Sequence, residues 1–155
     1  GGENFEAGRS LQQTSDNGYI IIGHTESFGN GNNDAYCLKT DSEGNELWSR
    51  TYGGSGTDQG RHIAETLDQG YIISGYTDSY GSTGGFNFWL IKTDSNGGLE
   101  WQEYYGDGGN DRAFCGLQAS DGGYAIVGQS NTGGSTGMDI LLVKTDDTGN
   151  ADPSQ

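Results

Sequence analysis

Aspartate and asparagine recur in this sequence where strand-forming runs begin and end. Asp34, Asn87 and Asp139 are 53 and 52 residues apart, and Asp58 and Asp111 are 53 apart, with Glu6 in the equivalent earlier place. Oxygen-bearing side chains at loop mouths suit a hard cation, and Ca²⁺ takes about 6–8 oxygen ligands. Asp34, Asp58, Asp111 and Asp139 are therefore the candidate Ca²⁺ ligands, with Asp107 and Asn110 nearby. The same residue types also cap turns by accepting backbone N–H groups, which is the preferred reading. No stretch matches an EF-hand or a nonapeptide calcium array. The two cysteines and two histidines show no metal-ligating spacing, so no zinc site is expected.

Phe28 and Tyr80 lie beside Asn32, Asn33 and Asp78 in two equivalent polar segments. Aromatic rings flanked by amide and carboxylate groups can stack on and hydrogen-bond to sugars, so these five residues are the candidate ligand-binding set; pinning of the loops is the competing role. Lys39, Lys92 and Lys144 each precede Thr-Asp, which predicts pairing with a neighbouring carboxylate at a blade edge. Catalysis finds little support. His24 and His62 are not equivalent in the repeat, and there is no nucleophile elbow, phosphate loop or metal-ligating histidine spacing. Paired acids carry little information in a chain with 22 of them.

The elements that must position these residues follow from a repeat. Tyr19, Tyr71 and Tyr124 are 52 and 53 residues apart; Asp41, Asp94 and Asp146 are 53 and 52 apart; Trp48 and Trp101 keep the same interval. The 155 residues therefore divide into three copies, about 1–52, 53–105 and 106–155, in one repeat domain. In the second copy the spacing predicts strands over 60–67, 71–76, 87–93 and 99–104. Asp68-Gln69-Gly70 forms one tight turn, with glycine expected at positive φ, and Asp94-Ser95-Asn96-Gly97 forms a type I turn with a glycine bulge. Gly44, Gly97 and Gly149 are expected at positive φ.

Helical periodicity is absent, and the 30 glycines interrupt every window long enough for a helix. The chain reads as all-β. Continuous apolar runs such as Tyr19–Ile22 and Phe88–Ile91 mean strands covered on both faces. That pattern favours a β-propeller-like array of three four-stranded antiparallel blades over the alternative, a β-trefoil. Trp48, Trp89 and Trp101 are expected in the blade cores.

The segments GGYAIVGQS, GYIISGYTDS and NFWLIKTDSNG resemble tandem repeats of secreted and cell-surface bacterial and archaeal proteins, which run GGYIIAGYT, a Gly/Asn-rich loop, DFWLIKTDSNGN and Leu-Trp. The KTDSxGNxLW part is similar to the tryptophan-docking segment of PQQ-type propellers. The resemblance implies propeller blades and an extracellular or cell-surface location. The third copy departs from it: residues 149–155 lack Leu-Trp, so its last blade is expected to be incomplete.

Net charge is −15, from 22 acidic and 7 basic residues. This argues against nucleic acid and against anionic membrane surfaces as partners, and no apolar run is long enough to span a bilayer. Cys37 and Cys115 fall on non-equivalent strands and are not expected to pair. Propellers typically close with about 4–8 blades. Three blades, the last one incomplete, leave uncovered faces that should meet another copy head to tail, as a ring or filament, or the remaining blades of a longer chain. The expected function is that of a non-enzymatic structural or interaction module that self-associates. A lectin-like glycan-binding module is the first alternative and a hydrolase the second.

Overall fold

The structure is a computed structural model, and it describes residues 2–81, 84–106, 108–131 and 137–151. Each repeat forms one antiparallel sheet whose strands follow chain order. The first blade contains β1 (Glu6–Gln13), β2 (Tyr19–Thr25), β3 (Asp34–Thr40) and β4 (Glu46–Tyr52). The second contains β5 (Asp58–Glu65), β6 (Tyr71–Thr77), β7 (Asn87–Thr93) and β8 (Leu99–Tyr105). The third contains β9 (Arg112–Gln118), β10 (Tyr124–Ser130) and β11 (Asp139–Lys144). This is an all-β, propeller-like row of blades whose last member has three strands among the described residues. The sheets stay separate, without the closed barrel of a trefoil. The innermost strands β1, β5 and β9 lie against one another, while no comparable contact joins β4 to β8, so the blades fan outward.

Burial follows from that stacking. Every residue of β6 and β7 is buried, as their continuous apolar runs require. Ile20, Ile22, Ala35 and Cys37 of the first blade pack on Ile63, Tyr71, Ile73, Trp89 and Ile91 of the second. On the opposite face of the second blade, Ile72, Phe88 and Leu90 pack on Ala113, Tyr124, Ile126 and Val143 of the third. Both cysteines are free, Cys37 buried and Cys115 half-buried.

Three expectations are corrected. First, β5 runs Asp58–Glu65, two residues earlier than the spacing suggests, because Thr66 N–H donates to the Gly70 carbonyl (2.9 Å) and so belongs to the turn. Second, the positive φ in that turn falls on its middle residue: Asn17 (66°), Gln69 (67°) and Gly122 (90°). Gly18, Gly70 and Gly123 are needed for close approach, since a Cβ there would run into the carbonyls of Thr40, Thr93 and Thr145. Third, Trp89 is core, but Trp48 and Trp101 bridge blades. Trp48 lies against Tyr71 (ring centroids 6.0 Å) and Trp101 against Tyr124 (5.4 Å).

The turn after the third strand of each blade is as expected. Gly44, Gly97 and Gly149 have φ of 88°, 74° and 90°. The Asp41, Asp94 and Asp146 carboxylates each accept two backbone N–H groups of their own turn. This turn also receives the preceding blade: Tyr105 Oη donates to the Gly149 carbonyl (2.6 Å).

Candidate functional site

The long loops of the first two blades interlock at one end of the molecule. Asn32 N–H donates to the Gly56 carbonyl (2.8 Å) and Asp58 N–H to the Asn33 carbonyl (2.7 Å). Thr57 N–H donates to Asp78 Oδ1. Asp34 and Asp58, both buried, meet beneath this lacework. Asp34 Oδ2 accepts Asn30 and Gly31 N–H, both at 3.0 Å. Asp58 Oδ2 accepts Gly54 N–H (2.8 Å) and Ser79 Oγ–H (2.6 Å), while Asp58 Oδ1 accepts the Thr77 hydroxyl. These are turn-capping bonds.

Asp34 Oδ1 and Asp58 Oδ2 nevertheless face a common point beside Gly53, the position a Cβ would fill. Burial pushes the Asp34 carboxyl above its ordinary value; two backbone N–H bonds oppose this, and the Asp58 charge adds to the rise. Two acidic oxygens facing one point suit an oxygen-preferring cation, although Asp58 Oδ2 already accepts two donors. Tyr80 closes the edge of this junction: its Oη donates to the Gly53 carbonyl (2.9 Å), and its ring stacks on Tyr104 (5.4 Å).

Five of the sequence-derived residues thus converge with Asp34 at the first junction: Asn32, Asn33, Asp58, Asp78 and Tyr80. The rest lie apart. Phe28 stacks on Tyr36 at the outer face of the first blade (5.7 Å). Asp111 and Asn87 flank Gly106 at the second junction, repeating the Asp58–Asp34–Gly53 arrangement. Asp111 is fully buried, with neither carboxylate oxygen hydrogen-bonded among the described residues. Asp139 is exposed at the start of β11, and Asp107 lies outside the described residues. Among the described residues no three of His, Cys, Asp and Glu converge as a metal centre.

The lysines pair with carboxylates as expected; Lys39 and Lys92 do so in blade interiors rather than at edges, whereas Lys144 lies on β11, the end strand of its sheet among the described residues, with its side chain 31% exposed. Lys39 meets Asp16 and Lys92 meets Asp68, both at 2.9 Å, with each lysine side chain 4% exposed; Lys144 meets Asp121 at 2.7 Å. Lys92 also reaches Glu100 (3.0 Å) and donates to the Thr93 carbonyl (2.9 Å). Burial alone would raise Asp68, but Thr66, Lys92 and Gly70 hold it down at about 2. His62 and Ser74 are cross-strand partners of β5 and β6, yet Ser74 Oγ and His62 Nδ1 lack hydrogen bonds among the described residues, and Ser74 is 1% exposed.

Sequence reasoning missed two sets. Tyr52 and Tyr105 bond across blades; their 53-residue spacing, the same as that of Trp48 and Trp101, was the available signal. Arg9 and Arg61 occupy equivalent bulges on the innermost strands, and their 52-residue spacing was the signal there. The chain matches no family model, and no curated protein is similar to it.

Proposed function

We propose that this chain is a non-enzymatic structural and interaction module, extracellular or at a cell surface, that associates through the two end faces of its row of blades. One contrast carries the reading. Ile140 and Leu142 of β11 are 87% and 58% exposed, whereas Phe88 and Leu90 at the same repeat positions of β7 are fully buried. An apolar sheet face left open to this extent is the usual mark of an interaction surface.

The opposite end offers the matching half. Tyr19, Ile21, Tyr36 and Leu38 are only half-buried, where the equivalent Tyr71, Ile73, Trp89 and Ile91 are at most 2% exposed. Within the chain, a face like that of β10–β11 packs twice on a face like that of β2–β3. A second copy is the partner with the right shape at both ends, and the contact is head to tail, which closes into a ring or continues as a filament. Further blades of a longer chain would cover the same faces. Association that disappears in Leu142→Asp, measured by sedimentation, tests this; the substitution is on a position exposed in the single chain and should leave that chain folded.

A further inference from the structure

In this strongly acidic chain the positive charges divide into two groups. Each lysine is ion-paired with a carboxylate, but among the described residues no arginine is. Three of the four arginines, Arg9, Arg61 and Arg112, belong to the innermost strands β1, β5 and β9.

Arg9 and Arg61 are placed equivalently in the repeat, and Arg112 lies two residues before the third equivalent position. The β1–β2 register slips between Gly8 and Ser10, the β5–β6 register between Gly60 and His62, and β9 carries its irregularity opposite Val127 and Gly128. The residue bulged out of each ladder is Arg9, Arg61 and Phe114 respectively. A bulge re-aims its side chain and is frequent beside functional sites. Here it brings charge and an aromatic ring to the same level of the inner face.

Two guanidiniums crowd one aromatic cluster. Arg61 lies 5.4 Å from the Tyr76 ring centre and 5.7 Å from that of Phe114. Arg112 lies 5.2 Å from Tyr76 and 4.6 Å from Phe86. Tyr76 is held in place by its hydroxyl, which donates to Gln59 Oε1 (2.6 Å). Arg112 Nε is buried without a hydrogen-bond partner among the described residues, and so is Nδ1 of His24, a residue only 3% exposed. The His24 imidazole is held below its usual value by burial and then by the Arg9 and Arg61 charges, which puts it in the same electropositive patch. The carboxylates of Glu6 and Asp58 are engaged by the Thr25 and Thr77 hydroxyls, and Asp111, next to Arg112 in sequence, forms no ion pair with it among the described residues.

Cation–π contacts account for the stacking of the guanidinium planes, but not for two like charges beside one ring with an N–H left unpaired. A guanidinium fork matches an oxyanion, which accepts two N–H bonds at once. Phe114 (40% exposed) and Phe86 (half-buried) each carry a guanidinium on one face and keep part of their surface in solvent, where a sugar ring can pack. We infer that the inner face of the blades binds the oxyanion group of an acidic saccharide, held by Arg61 and Arg112 with Arg9 at its rim. This goes beyond the association proposed above and uses none of the same residues.

The test is calorimetric titration of the full chain with sodium glucuronate, with glucose as neutral control, sodium sulfate as competitor and ionic strength held constant with NaCl. Glucuronate should bind once per chain, glucose should not, and sulfate should compete. Arg61→Gln should weaken binding about tenfold or more, the loss of one charge-assisted bond. Arg9→Gln, at an exposed position, gives a second variant that leaves folding untouched and should weaken binding less. Absence of binding by glucuronate, equal binding of glucose, or affinity unchanged in both variants would overturn the inference.

Discussion

Tyr52 of the first blade donates its hydroxyl hydrogen to the Gly97 carbonyl of the second at 2.8 Å. Trp48, on the same strand, covers the same glycine, so a Cβ at Gly97 would sit 2.8 Å from its ring. The last strand of one blade is thereby latched to a turn of the next. Gly97 also has φ of 74°, where a β-branched residue is strained. Gly97→Val should therefore destabilise by about 1–3 kcal/mol, the scale of a strained backbone conformation. Chemical denaturation checks this, and an unchanged midpoint would mean the latch is not needed. The same turn in the first blade, at Gly44, has nothing within 4 Å of a Cβ, so Gly44→Val should cost less than Gly97→Val.

Asp34 and Asp58 give a prediction about charge. Asn87 occupies the Asp34 position in the next blade, where its Nδ2 donates to the Tyr80 carbonyl (3.0 Å). In calcium-free buffer at neutral pH, Asp34→Asn should raise stability on the order of 1 kcal/mol, the value of one hydrogen bond gained in place of a repulsion. The folded-state value of Asp34 is raised, so the wild-type chain binds this proton more readily when folded. The penalty is present above that raised value and fades as the pH falls through it, so the gain from Asn should shrink in acid. Ca²⁺ is the cation this pair would take: millimolar calcium should raise the wild-type midpoint and leave the variant unmoved. A wild-type melting curve indifferent to both calcium and EDTA would remove the metal from this account.

The lysine at the blade interior sets a second pH window. Asp68 is held at about 2, below its ordinary 3.8, so its contribution is complete above that ordinary value and is lost as the pH falls through about 2. Burial would lower Lys92, but bonds to Asp68 and Glu100 outweigh it and leave it raised above 10.5; its contribution is kept below 10.5 and lost as the pH rises through the raised value. Lys92→Gln should cost about 1–3 kcal/mol, the range for hydrogen bonds to a charged group, moderated because both carboxylates reach solvent. Urea melts at pH 2, 7 and 11 would show the difference between the two proteins narrowing at both extremes.

The fold was legible because each repeat states its own pattern. Asp94 and Gly97 declare a turn by spacing alone, and the runs of β6 and β7 declare burial on both faces. The site was less legible, because it is built between repeats. That Asp34 meets Asp58, or that Arg61 and Arg112 share Tyr76, depends on how one blade sits on the next, and no local period reports it. The positive φ at Gln69 escaped for a related reason. The adjacent glycine is required by the Thr93 carbonyl across the sheet, so its presence marks a close approach and not a backbone conformation.

Association through the end faces is measured by sedimentation velocity at micromolar concentration. The expected mass is a multiple of the 16.4 kDa chain, falling to the single chain in Leu142→Asp. A folded, monodisperse 16.4 kDa species for the unaltered protein would contradict it.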